Sequence, residues 1–398
     1  MKIVCFGNTN NFPLLLVKAF RALGHSAQLI VNEKNILHRP ENVDPSLKAG
    51  YPSWIRDFSE IPRQDYICGS TTLMPVLRVL ETADALILNE IGPSLLGFIP
   101  RPAISFLTGS DLSSLANFEL LNSLTANWSR DFEGSAANEF YKTRWNAFIT
   151  RQRKGIIGST RVSHFPRGLL PDNDQILDSI GVSDEQRIHL FMADSEIGRK
   201  PPRQQKRDYV DLLCGARLTW KRPDARLSEL DFKGTDQLLR GFAAYTRESD
   251  VPSRLTLFEK GHHIEETKAL VNELGIAEIV DWLPELSRKE YDTRMLRADV
   301  VIDQLDNSVI GMVALDAMQA GIPVMANARP EIWNKHLEEP PPISHAFNAD
   351  TVCTQLRKLV DGKHRKKLGA ASKRYVEKYW TAEANAKLCL EIFRTECS

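Results

Sequence analysis

Two cations and one carboxylate in the second half of this chain sit where strands give way to helices. Arg217 follows the run "YVDLLCGA" (209–216), so its side chain can point outward beyond a strand end. Lys233 directly precedes Gly234 and a helical period. A lysine beside a helix start makes an anion site, because free backbone N–H groups and the positive end of the helix dipole meet a mobile ammonium. The competing reading of Lys233 is a solvated loop charge. Further on, "SVIGMVALDAMQAGIPV" runs from Ser308 to Val324. Gly311 there lets an anion approach the backbone of a second helix start. Asp316 falls about one and a half turns into that helix, where it could accept hydrogen bonds from sugar hydroxyls or simply pair with a nearby base. Gly321 and Pro323 supply an ordinary helix exit.

Other chemistries lack their residues. The first strand-to-helix turn, "FGNTNNFP", has no G-x-G-x-x-G, and neither G-x-x-x-x-G-K-[ST] nor G-x-S-x-G occurs, which argues against nicotinamide, P-loop and hydrolase-elbow sites. The six cysteines (5, 68, 214, 353, 389, 397) form no C-x-x-C pair and no cluster with histidine, so neither zinc nor a disulfide framework is indicated. Cys5, Cys68, Cys214 and Cys353 read as buried thiols. Acidic and basic residues balance at 51 each, which disfavours a nucleic-acid binder. The basic runs "GRKPPRQQKR" (Gly198 to Arg207) and "GKHRKK" (Gly362 to Lys367) read as solvated linkers or helix faces. "MKIVCFG" is a strand rather than a signal peptide, and no apolar run is long enough to span a bilayer. A reducing, cytoplasmic setting is expected.

The elements that must position these residues alternate. "KIVCFG" (2–7), "AQLIVN" (27–32), "ADALILN" (83–89), "AISFLTG" (103–109) and "KGIIG" (154–158) read as strands, with a helix over 12–24 and a long excursion over 33–65. "RLTLFEKG" (254–261), "EIVDWLP" (278–284), "DVVIDQL" (299–305) and "IPVMAN" (322–327) continue the strand series, with helices over 234–249, 264–275, 288–298 and after Gly311. Apolar runs separated by helices are the mark of a parallel sheet covered on both faces. "KPP" at 200–202 marks a boundary, and 370–396 reads as amphipathic helix. Two such α/β domains are expected to leave a cleft at the C-terminal ends of their strands.

"GARL" with Arg217, "KGTDQLLRGFA" from Lys233, "VDWLPELSRKEYDTRMLRADVVIDQ" from Val280 and "GMVALDAMQAGIPV" from Gly311 together resemble the nucleotide-binding domain of glycosyltransferase family 4. The final "RYVEKYWTAEANAKLCLEIF" is similar to that family's last helix, and "FLTGSDL" (106–112) to its interdomain loop. The resemblance implies a GT-B fold, with a Rossmann-like acceptor-side domain over 1–175 and a linker region over 176–205. A Rossmann-like nucleotide-sugar domain over 206–378 and a closing helix over 379–398, packed back on the first domain, would follow. It also implies a retaining hexosyl-type transferase acting on a nucleotide-diphosphate sugar, without metal or added cofactor. Arg217 and Lys233 would hold the diphosphate and act in catalysis. Asp316 would take the ribose, the backbone near Leu283 the base, and the turn before Met312 the donor sugar. Gly234, Ser308, Gly311 and Val313 complete the donor-side set. Gly7, Asn8, Thr108, Gly109 and Asp111 are the acceptor-side candidates.

The chain departs from that pattern in four places. Ser308 replaces the first of a glutamate pair, and Asp316 is shorter than the second. Thr108 stands where a histidine is frequent, and "TWKRPDARLSELDF" lengthens the segment between Arg217 and Lys233. A homologue that binds sugar nucleotides or glycans without turnover, or a nucleotide-sugar epimerase, are the rival readings. Trp128, Tyr141 and Trp145 could stack on a sugar or pack in a core. "PSLLGFIP" (93–100) could meet a lipid-linked acceptor or lie under the sheet, which leaves peripheral membrane contact open; the acceptor is otherwise a carbohydrate or glycoconjugate.

Overall fold

The structure, a computed structural model, describes residues 1–120, 136–193, 207–224 and 229–396. Trp128, Cys397, the "KPP" boundary and residues 225–228 of the long segment before Lys233 lie outside the described residues.

The chain forms two compact units. Met1–Phe165, Pro171–Phe191 and Ala382–Ser398 make the first, and Pro166–Leu170 with Met192–Thr381 make the second. The first is built on a parallel sheet in the order β3-β2-β1-β4-β5-β6-β7. Its strands are β1 (Lys2–Phe6), β2 (Ser26–Val31), β3 (Ile55–Asp57), β4 (Ala85–Asn89), β5 (Ala103–Phe106), β6 (Arg161–Ser163) and β7 (Arg187–Ile188). Its principal helices are α1 (Phe12–Ala22), α2 (Met74–Glu81), α3 (Ala136–Ile157) and α4 (Pro171–Ile180). Every residue of β4 is buried, as expected of a strand covered on both faces.

The second unit repeats the plan in the order β10-β9-β8-β11-β12-β13. It contains β8 (Val210–Cys214), α5 (Thr235–Glu248), β9 (Ser253–Phe258), α6 (Ile264–Glu273), β10 (Val280–Leu283), α7 (Arg288–Met295) and β11 (Val300–Ile302). Then come α8 (Met312–Ala320), β12 (Val324–Ala326), β13 (Ser344–His345), α9 (Ala349–Leu359) and α10 (Gly362–Tyr379). The closing helix α11 (Ala382–Glu396) belongs to the first unit. Asp211 sits within buried β8 because Arg294 meets both its oxygens, at 2.7 and 3.0 Å. A charge taken out of water persists only with such pairing.

Three sequence expectations need correction. "KGIIG" is no strand: it is the end of α3, and Gly158 N–H bonds back to Lys154 at 2.9 Å. Packing overrides the β-branched composition there, since a Cβ on Gly155 would fall 1.7 Å from the Pro93 carbonyl. The excursion over 33–65 contains edge strand β3, too short to show an alternating pattern. Cys68, expected to be buried, is only partly so; Cys5, Cys214, Cys353 and Cys389 are buried.

Candidate functional site

In both sheets the strand order reverses beside the first strand, between β8 and β11 in the second unit. Open α/β sheets bind ligands outside the strand ends at such a switch point. Gly215, Ala216 and Arg217 leave β8 there, and Asp303 and Gln304 leave β11. The two exits touch: Gly215 N–H bonds to the Ile302 carbonyl at 3.1 Å.

Lys233 is fixed through its backbone. Its N–H bonds to Thr219 at 2.7 Å, and its carbonyl accepts from Leu305 N–H at 2.9 Å. Gly234 must then turn left-handed (φ +69°) to start α5, and a Cβ there would meet the Asp306 nitrogen at 3.0 Å, so the position calls for glycine. The half-buried Nζ donates to the Leu230 carbonyl and to Gln304 Oε1, both at 2.6 Å. Burial lowers the ammonium's pKa to about 8, and Arg217 adds to that against the opposing pull of Asp303, Asp231 and Asp306. Arg217 is exposed and reaches Asp231 at 3.5 Å. The structure thus places both cations at one end of the sheet.

The second helix tip departs from expectation. The sequence predicts that Gly311 lets an external anion approach the start of α8. Instead, the buried Asp303 carboxylate already sits there: Oδ2 accepts from Gly311 N–H at 3.0 Å and Ala314 N–H at 3.3 Å. Burial raises the Asp303 carboxyl pKa, against the Gln304 backbone N–H and the Lys233 charge, which lower it. Gln304 also donates to the Val309 carbonyl, closing the loop beneath the lysine. Ser308 is buried, while Met312 and Val313 are half-buried at the tip. Sequence reasoning absorbed Asp303 into the strand; the signal was a carboxylate directly after the apolar run "VVI".

Asp316 is buried and paired with Arg288 at 2.9 Å, an arginine that also holds Asp292 at 2.9 Å. Of the two sequence readings of Asp316, pairing with a nearby base is what the structure contains. The Tyr291 hydroxyl lies beside this pair, buried, and a Cβ on Gly215 would approach it to 2.5 Å. Burial first, then Asp316 and Asp303, push its pKa well up. Leu283 ends β10 with its carbonyl accepting from Glu259 N–H at 2.8 Å. The segment after Arg217 is anchored by His263, unnoticed in the sequence. Its Nδ1 accepts from the N–H groups of Trp220 and Lys221 at 3.0 and 3.1 Å, which leaves Nε2 facing Asp224 at 3.5 Å.

The first unit's switch point is densely hydrogen-bonded. Asn8 donates to Asn11 and the His38 carbonyl, both at 2.7 Å, and accepts from Leu14 N–H at 3.0 Å. Asp111 accepts from Thr108 N–H at 2.8 Å and Gly109 N–H at 2.8 Å, and from Leu112 N–H at 3.1 Å. Burial raises its carboxyl pKa to about 6 even so. Gly7 is left-handed (φ +82°), with the Asn89 carbonyl 2.9 Å from where a Cβ would stand. Asn89 links the three loops by donating to the Phe106 carbonyl at 2.8 Å and accepting from Thr9 N–H at 2.9 Å. Asn8 and Asp111 are therefore loop-building residues, whereas Thr108 and Gly109 remain half-buried.

Trp145 packs edge-on to buried Phe148, and Tyr141 is exposed. In "PSLLGFIP", Ser94 and Leu95 are buried. Ser94, Leu96, Gly97 and Phe98 line a cavity of about 600 Å³ with Arg101, Arg151 and Lys154. Among the described residues, no helix is long and apolar enough to cross a membrane. No group of three or more His, Cys, Asp or Glu among them could hold a metal.

Residues 226–333 match the family described as glycosyl transferases group 1. No curated protein matches the chain by sequence. Among solved structures, a glycosyltransferase from Rickettsia africae is 12% identical with a TM-score of 0.64, covering 100% of this chain and 98% of its own. HepE from Anabaena, solved in complex with UDP and glucose, is 11% identical at a TM-score of 0.62, covering 99% of this chain and 100% of its own. A putative UDP-N-acetylglucosamine 2-epimerase from Listeria monocytogenes reaches 0.51 at 11% identity, over 100% of this chain and 96% of its own. At such identities the likeness concerns the fold, which is GT-B, with two Rossmann-like units.

Proposed function

We propose that this chain is a retaining glycosyltransferase that moves a hexose-type sugar from a nucleoside-diphosphate sugar to a carbohydrate or glycoconjugate acceptor. The observation that carries the reading is the half-buried Lys233 ammonium at the start of α5, beside Arg217 and the β8/β11 switch point. It lies inside the stretch that matches group 1 glycosyl transferases. As the sugar–oxygen bond breaks, negative charge grows on the departing diphosphate. Two positioned cations stabilise that charge more in the transition state than in the bound donor. An anion arriving beside Lys233 also favours its charged form. The reading assigns this role to Arg217 and Lys233 without a metal or other cofactor, and assigns no covalent nucleophile. The acceptor would enter by Gly7, Thr108 and Gly109, and the setting would be cytoplasmic, with peripheral membrane contact open.

HepE was solved with UDP-glucose as well as with UDP and glucose, so uridine donors are the first to try. In a thermal-shift panel of UDP, GDP and ADP, the preferred diphosphate at about 100 times its Kd should stabilise the fold by roughly 2.7 kcal/mol. Arg217→Ala or Lys233→Ala should each slow transfer about 100- to 1000-fold, if each acts like one removed oxyanion donor. A double variant with full transfer activity would reject the assignment.

A second reading is a binder without turnover. It is favoured by Asp303 on the α8 amides and by Ser308 where the family resemblance expects a glutamate. Labelled donor separates the two: a binder protects it, a transferase passes its sugar to an acceptor, and an epimerase alters the sugar with no acceptor present.

A further inference from the structure

We propose that Asp303 is an affinity-setting residue of the donor site, an internal anion seated on the α8 amides that the diphosphate of an incoming donor must displace. The inference rests on the donor reading above and deepens it.

The geometry of the tip is its basis. One oxygen, Oδ2, accepts from both Gly311 and Ala314 N–H, and the side chain reaches this place from the first residue past β11, where only 5% of the residue stays exposed. Glycine at 311 is what admits it, since a Cβ there would come within 2.6 Å of that same oxygen. The first N–H groups of a helix have no partner in the helix itself and attract anions. Here they are satisfied from within the chain. A carboxylate and a phosphate cannot share one pair of N–H groups, because two anions at contact distance repel strongly where water is scarce.

The carboxylate satisfies the first N–H groups of the tip and faces the Lys233 charge. When the donor binds, the phosphate takes the N–H groups and Asp303 turns off them toward the lysine side. The interaction is between charges only; no bond is made or broken. It discriminates by phosphate charge: a nucleoside, which brings no anion to the tip, is indifferent to Asp303, whereas a nucleoside diphosphate binds against it.

The test is calorimetric titration of wild type and Asp303→Asn with UDP, GDP, ADP and their nucleosides. Asparagine keeps the shape and one accepting oxygen but removes the charge. The preferred diphosphate should bind at least tenfold more tightly to Asp303→Asn, with nucleoside affinity unchanged; general loosening of the tip would instead weaken both ligands. Equal or weaker diphosphate binding by a folded variant overturns the inference and leaves the donor reading standing. Absence of diphosphate binding by both proteins sinks the donor reading, and this inference with it. A wild-type measurement guards against a variant that does not fold. The amide resonances of Gly311 and Ala314 should shift on saturation with the diphosphate and stay in place with the nucleoside. Resonances that stay fixed with both refute displacement.

Discussion

Lys233 shows how one side chain can be both buried and functional. Its ammonium gives up water for two uncharged acceptors, the Leu230 carbonyl and Gln304 Oε1, and burial brings the pKa from the ordinary 10.5 down to about 8. The sign of the consequence follows. Below pH 8 the group is charged; above it, the charge is progressively lost. A bound diphosphate favours the charged form, so between about pH 8 and the ordinary 10.5 binding must take up a proton. Diphosphate affinity should therefore fall between pH 7 and 9, by up to about tenfold per unit once the amine is neutral. Calorimetry in two buffers of different ionisation enthalpy should register the uptake near pH 8.5. Lys233→Met should bind more weakly and show neither the uptake nor that slope. An unchanged slope in Lys233→Met would place the titrating group elsewhere.

At the scale of single elements, the ends of strands decide more than their middles. "DVVIDQL" reads as a strand to Leu305, but β11 stops at Ile302, and the next two residues, Asp303 and Gln304, hold the α8 tip and the lysine. Periodicity identifies the buried run and is blind to where the ladder ends, because the first residue past a strand obeys no alternation. Glycines were more legible. Gly234 and Gly311 marked helix starts, and the structure has helices beginning one residue after each. The loop after β5 is a further case. "FLTGSDL" carried Thr108, Gly109 and Asp111 as acceptor-side candidates, yet the Asp111 carboxylate is consumed by the N–H groups of Thr108, Gly109 and Leu112. Asp111→Ala would strand these donors in a buried turn, at a cost of about 1–3 kcal/mol for each left unsatisfied. Relaxation and water reduce the sum, so a net loss of about 3 kcal/mol is expected, read as a lower urea midpoint at pH 7. A midpoint within experimental error of wild type would show that Asp111 is not what builds this loop.

At the scale of the molecule, the two βα series were readable because each strand and helix satisfies its own local pattern. The short strands β3, β6, β7 and β13, of two or three residues each and at or next to the sheet edges, carry no period and emerge only from pairing with neighbours already in place. Arg288 with Asp316 and His263 with Trp220 were hidden for a related reason: each joins segments distant in sequence, and no single stretch records both partners. The closing helix tests how far a local pattern reaches. α11 follows the second unit in sequence but is counted with the first. Asn385 Nδ2 donates to the Phe191 carbonyl at 2.9 Å, while Cys389 and Phe393 have no exposed surface. Phe393→Ala should thus empty a place in the first unit's core, at a cost of about 3–5 kcal/mol. If that assignment holds, faster hydrogen exchange should appear in the amides of β1 and α1, with those of β8 and β9 unchanged. Faster exchange confined to β8 and β9 would mean that the last helix stabilises the second unit instead.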